Sequence, residues 1–182
     1  MSVTTVSSSM ITDATILNAD IGAAAAIATT KLGAGAIVQV VNVTTGAVAT
    51  GTTVMPEDDT IPQKTEGDEY MTLAITPTHA SNILKIDVIF YGNTSALRSM
   101  SVALFKDAVA GALAATASVV TADQPDTPTL THWVAAGGTS EITFKVRAGP
   151  NAAGTTSFNG NGGARRYGGV ASSSITITEI KV

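Results

Sequence analysis

Apolar and polar residues alternate along most of the chain from Ile37 onward, and a repeat of two is the signature of half-buried strands. Ile37-Val38-Gln39-Val40-Val41-Asn42-Val43 is a strand-like run, ended by Thr45-Gly46. Met71, Leu73 and Ile75 alternate with Thr72 and Ala74, and Pro77 closes that strand. Leu84, Ile86, Val88 and Phe90 share one face, Lys85 and Asp87 take the other, and Gly92-Asn93 reads as the turn that follows. Met100, Val102 and Leu104 alternate with Ser101 and Ala103 until Lys106-Asp107. Ile142, Phe144 and Val146 oppose Thr143, Lys145 and Arg147, with Gly149-Pro150-Asn151 as a breaker. Residues 172–182 supply a last strand rich in Ser, Thr and Ile.

Two further runs, 112–120 and 127–134, are weaker candidates. Thr116, Val119 and Val120 tip the first towards strand although Ala114–Ala117 alone suits a helix. The total is about eight short strands and no long helix, which predicts an all-β sandwich or barrel. A jelly roll is the expected eight-strand version. The last strand, reaching almost to Val182, reads as a central strand inserted last.

Residues 1–36 follow a different grammar. Their apolar anchors are Ile11, Ile16, Ile21, Ile27 and Leu32, spaced by five, five, six and five. Neither a strand nor a helix has that step. Ala23–Ala28 suits a short helix, with Asp20 as its N-cap and Gly33 as its stop. Two readings stand: a loose tail, or an extended arm whose aliphatic residues dock on a partner or wind with two copies of themselves. The expected division is an arm over 1–36 and a β-sandwich knob over 37–182.

Composition sharpens the second reading. Hydrophobic residues make up 45% of 182 and charged residues only 13%, about half the usual share. A soluble chain with so little charge needs a hydroxyl-rich surface or a surface covered by copies of itself, so a homo-oligomer is expected. The net charge of -4 offers no cation excess for phosphates, which argues against nucleic acid. With no Cys there is no disulfide, thiolate metal site or cysteine nucleophile. No basic segment precedes Lys31 and no apolar run approaches a membrane span, so the expectation is assembly in a cytoplasm with no membrane partner.

Candidate chemistry is sparse. His79 and His132 have no neighbouring motif, and no Gly-x-Ser-x-Gly elbow exists. Glu57, Asp58, Asp59, Glu66, Asp68 and Glu69 place six of 14 acids within 13 residues. Such a cluster can hold Ca²⁺, but the spacing lacks alternating ligands, and a solvated loop or an acidic rim against a basic patch on the next subunit are the other readings. Asn159–Gly169 is Gly-rich and carries Arg165, Arg166 and Tyr167, without a phosphate-loop pattern. It reads as a flexible hairpin loop or as a contact loop, since Arg and Tyr favour interfaces. No catalytic, cofactor-binding or metal residue is expected, and the chain is expected not to be an enzyme.

Two stretches carry a resemblance. Thr12-Asp13-Ala14-Thr15-Ile16-Leu17-Asn18-Ala19-Asp20-Ile21-Gly22-Ala23-Ala24-Ala25-Ala26-Ile27-Ala28-Thr29-Thr30-Lys31-Leu32 resembles an Ala-rich segment that recurs in tailed-phage fibre and appendage proteins. The remainder, from Val38-Gln39-Val40-Val41 through Thr143–Gly149 to Ser174–Ile180, is similar to β-rich knobs of phage virion surface proteins. The resemblance implies a homotrimer with tumour-necrosis-factor-like jelly-roll knobs and brings no catalytic residue. It implies a virion structural protein: a capsid decoration (cement) protein or short head fibre, docked on major capsid protein or another virion protein through Ile11, Ile16, Ile21, Ile27 and Leu32. The alternative is a tail fibre or tail-tip protein recognising a host glycan through Glu57, Asp58, Asp59, Arg165, Arg166 and Tyr167. Either way the expected place is the virion surface, after assembly in the host cytoplasm.

Overall fold

Strict alternation places a side chain on each face in turn, so one row per strand can enter a core. The computed structural model describes residues 31–122 and 124–182. Within it, Gly33–Val182 is one compact unit. Its strands, in chain order, are β1 (Ile37–Thr45), β2 (Ala49–Gly51), β3 (Asp68–Ile75), β4 (Ile83–Ile89), β5 (Gly92–Thr94), β6 (Arg98–Lys106), β7 (Ala114–Val120), β8 (Thr129–Ala135), β9 (Ile142–Pro150), β10 (Thr156–Phe158), β11 (Gly160–Asn161), β12 (Ala164–Arg165) and β13 (Ser173–Ile180).

Two four-stranded sheets carry the fold, ordered β1-β13-β4-β8 and β3-β9-β6-β7. Every pairing in them is antiparallel. Counting only the eight long strands in chain order, the sheets read 1-8-3-6 and 2-7-4-5. That is a jelly roll, in which the chain passes back and forth between two facing sheets. The last strand lies between the first and the third, in the central position expected of it. A small sheet, β2-β10-β5, and the β11-β12 hairpin complete the structure.

The core lies between the sheets. Leu84, Ile86, Val88, Ile175 and Ile177 enter from the first sheet, and Met100, Val102, Leu104, Phe144 and Val146 from the second. Phe90, Phe158 and Tyr70 form an aromatic trio at one end, with ring centroids 5.0–5.5 Å apart. Burial holds the Tyr70 phenol far above its ordinary pKa; nearby Asp68 adds to the rise and Thr156 offsets part of it.

Three expectations need correction. Gly92-Asn93 is not an open turn: both residues belong to β5 and are buried. A Cβ on Gly92 would lie 2.5 Å from the Ser157 carbonyl oxygen, so β10 approaches too closely for any other residue. Gly149-Pro150 does not precede a turn but forms the last two residues of β9, and the expected break falls at Asn151. There the segment after β2 crosses the strand, with Met55 N donating to Pro150 O at 3.0 Å. A Cβ on Gly149 would lie 3.0 Å from Met55 N, which is why glycine stands at that crossing.

The third correction concerns residues 52–66: the solvated loop expected for the acidic stretch holds for residues 57–61 and 63–65, which are exposed, but not for the segment as a whole. That segment forms a strap over the outer face of the second sheet. Met55 is buried there with Ala103 and Phe105, making a second, smaller core. This is why β6 is buried on both faces from Met100 to Phe105.

Candidate interaction surfaces

The strap makes the two outer faces unequal. The second sheet has its outer face partly covered. The first sheet has no such cover among the described residues, and register shows what it presents. One cross-strand row is Ile37-Ile180-Ile83-Ala135 and the next is Val40-Thr178-Lys85-Trp133. Ile37 is 61% exposed, Val40 54% and Trp133 54%. The two rows beyond are mostly polar: Asn42-Thr176-Asp87-Thr131 and Thr44-Ser174-Ile89-Thr129. Lys85 Nζ lies 2.6 Å from Asp87 Oδ2 and 5.9 Å from the Trp133 ring centroid. Burial pushes the Asp87 carboxyl up, but hydrogen bonds from Lys85 and Thr131 and the Lys85 charge outweigh it, leaving the group below its usual range.

The acidic cluster of the sequence divides between several partners. Glu69 pairs with Lys145 at 3.1 Å. Asp68 accepts from Thr53 N and Oγ1 at 3.0 and 2.8 Å, and Glu66 accepts from Gln63 N at 2.8 Å. Asp58 accepts from Thr60 N at 2.9 Å, within the strap. Glu57, Asp58 and Asp59 are exposed at the strap's crest. Among the described residues no three His, Asp or Glu side chains gather as a metal ion would need. A groove of about 390 Å³ runs between the strap and β7, with Asp58, Asp59, Ile61 and Pro62 on one wall and Leu113–Ala115 on the other. A second hollow of about 230 Å³, beside Glu57 and Thr116, lines the same two elements.

The Gly-rich segment has a fixed base and an exposed tip. Asn159 is fully buried with φ 53°. Its amide nitrogen donates to Thr45 O at 2.7 Å and Ala47 O at 3.1 Å, and its oxygen accepts from Ser173 Oγ at 2.7 Å. Asn161, also buried, accepts from Asn93 Nδ2 at 3.0 Å, which also donates to Ala122 O. Five chain segments therefore meet under the hairpin. Beyond them Arg165, Arg166 and Tyr167 are exposed. Tyr167 has φ 46°, a conformation uncommon for an aromatic residue, and is 78% exposed. The asparagine network was not recognised in the sequence. Asn159 stands between β10 and β11 with a left-handed backbone, so no alternation in the sequence marks it.

Other polar groups are structural in setting. His79 Nδ1 lies 2.8 Å from Ser81 Oγ in the turn before β4. His132 is half-buried on the side of β8 that carries Leu130 and Val134. Glu179 is fully buried, and its Oε1 accepts from Thr78 N, Thr78 Oγ1 and Asn82 Nδ2 at 2.8, 2.8 and 2.6 Å. Of the proposed arm anchors, Ile11, Ile16, Ile21 and Ile27 lie outside the described residues. Leu32 is described and partly exposed. No helix among the described residues is long and apolar enough to cross a membrane.

No family model matches the chain, and no curated protein matches it. Among solved structures it is similar to the Eiger TNF from S. frugiperda, with TM-score 0.44 and 12% identity over 79% of this chain and 92% of that one. It is similar to a structure of infectious bursal disease virus Gx strain, with TM-score 0.37 and 11% identity over 79% of this chain and 36% of that one. It also resembles the enzymatically active domain of bacteriophage CBA120 tailspike protein 4, with TM-score 0.27 and 14% identity over 69% and 19% of the two chains.

Proposed function

We propose that this chain is a structural protein of a bacteriophage virion that works by assembly rather than catalysis. In this reading it is a homotrimeric capsid decoration (cement) protein or short head fibre. Its jelly-roll knob associates with copies of itself, and its N-terminal arm, residues 1–36, docks on major capsid protein through Ile11, Ile16, Ile21, Ile27 and Leu32.

The observation that carries the reading is the inequality of the two outer faces. The strap spends Met55 covering Ala103 and Phe105 on the second sheet, where Val119 on edge strand β7 stays open, while Ile37, Val40 and Trp133 stay open on the first. Apolar side chains grouped on one face mark an interaction surface. A chain with 13% charged residues has little else to keep that face apart from a partner. The assignment to a phage particle draws on the resemblance of residues 12–32. Five aliphatic anchors on each of three arms would bind by avidity even if one arm is weak.

The test is the mass of the full chain in solution, followed by its position on labelled particles by electron microscopy. The expected results are a trimer mass and label on the head. Deleting residues 1–36 is expected to leave a folded knob that no longer joins the particle. A monomer, or normal incorporation of the truncated chain, would overturn the reading. Exposed Arg165, Arg166 and Tyr167 favour a second reading, a tail fibre or tail-tip protein that recognises a host glycan. Label on the tail, together with blocked adsorption by the purified protein, would select it.

A further inference from the structure

The groove beside β7 has a mixed character. Asp58 and Asp59 form its rim, while Ile61, Pro62, Leu113 and Ala115 form apolar walls. Ile61 is 64% exposed although it faces other apolar groups. Such a site suits a side chain with a cationic head and an apolar or aromatic body. The carboxyl groups of Glu57 and Asp59 have no cationic partner among the described residues.

The same chain presents the complementary chemistry elsewhere. Arg147 is tied to Glu66 O and Gly67 O, and Arg98 reaches Ala153 O. Arg165 and Arg166 have no partner among the described residues. Arg165 ends the β11-β12 hairpin, and Arg166 leads into a short 3-10 turn, Tyr167–Gly169, with Val170 after it; the hairpin is held at its base by Asn159 and Asn161. A fixed base with outward cationic and aromatic groups is preorganised for contact, because little freedom is lost on binding.

The two features lie apart in the fold. The groove runs along the first half of edge strand β7, between it and the strap. The Gly-rich segment sits at one end of the sandwich, where Gly169 O closes on Gly46, Gly163 on Thr50 of β2, and Asn161 meets Asn93, which donates to Ala122 O just after β7. Their complementary charge is what directs one towards the other in a neighbouring copy.

We infer that the groove between the strap and β7 of one copy receives the Arg165-Arg166-Tyr167 tip of the next copy. The guanidinium groups pair with Glu57, Asp58 and Asp59, and the Tyr167 ring lies on the apolar wall. A head-to-tail contact of this kind closes into a ring when its rotation permits. The inference rests on the proposed homo-oligomer and names the residues that set its direction.

The test is charge reversal on the full chain, read by sedimentation with circular dichroism as the check on folding. Arg165→Glu with Arg166→Glu is expected to weaken self-association on the order of 100-fold. Glu57→Arg with Asp59→Arg is expected to do the same. All four changes together are expected to restore most of the lost association, and added salt to weaken the wild type. If a reversed chain fails to fold, Arg165→Gln with Arg166→Gln reads the same contact. A wild-type monomer sinks the homo-oligomer reading. A wild-type oligomer that ignores both reversals overturns this inference alone. Loss in both pairs without recovery in the combined variant also overturns it, because the two patches would then not face each other.

Discussion

Met55 on the strap is buried with Phe105 on the outward side of β6, at 0% and 1% exposure. A strand residue that should face water is thereby made part of a second core. Met55→Ala should cost about 2–4 kcal/mol, because it removes the strap's anchor and leaves a cavity over Phe105. Urea denaturation would measure it. A change within experimental error would mean that the strap is not held by this contact.

Glu179 ties the β3–β4 connection to β13 through three hydrogen bonds to one oxygen. Glu179→Ala leaves the Thr78 amide, the Thr78 hydroxyl and the Asn82 amide unpaired in a buried place. The expected loss is about 3 kcal/mol. Glu179→Gln keeps a carbonyl oxygen for the same donors and should lose clearly less. Equal losses in the two variants would show that charge, not hydrogen-bond geometry, matters at this position.

Asn159 combines a left-handed backbone with three side-chain hydrogen bonds. Asn159→Gly keeps the backbone and loses the bonds. Asn159→Ala loses the bonds and adds a backbone cost of about 1–2 kcal/mol. The alanine variant should therefore melt lower than the glycine variant. The reverse order would show that the hairpin base does not depend on this conformation.

Asp87 gives a pH signature. Its carboxyl is held below the usual range by Lys85 and Thr131. The resulting stability is present above the unfolded-chain value of about 3.9 and is lost as pH falls through the lower folded value. The pair is partly exposed, so Asp87→Asn should cost less than about 1 kcal/mol at neutral pH. Its difference from wild type should vanish in acid. Denaturation curves on both sides of the transition check this, and a difference that grows in acid would contradict it.

Alternation predicted β3, β4, β6 and β9, because a period of two reflects purely local geometry, while β-branched and hydroxyl-rich composition marked β1, β7 and β13. Leu84, Ile86 and Val88 face the core as their spacing requires, and Ser174, Thr176 and Thr178 face outward. The sparse charge and the exposed Arg165-Arg166-Tyr167 segment were likewise legible, since composition and loop chemistry need no partner to be read. Tertiary structure decided the rest. Gly92 and Gly149 look like breakers, yet they lie in strands because another backbone crosses each of them closely. Met55 lies in a segment with no strand pattern, and only the passage of that segment over Ala103 and Phe105 buries it. Asn93, Asn159 and Asn161 became a buried network only when five distant segments met. In each case the deciding contact joins residues far apart in the chain, and local pattern carries no record of what will lie across from it.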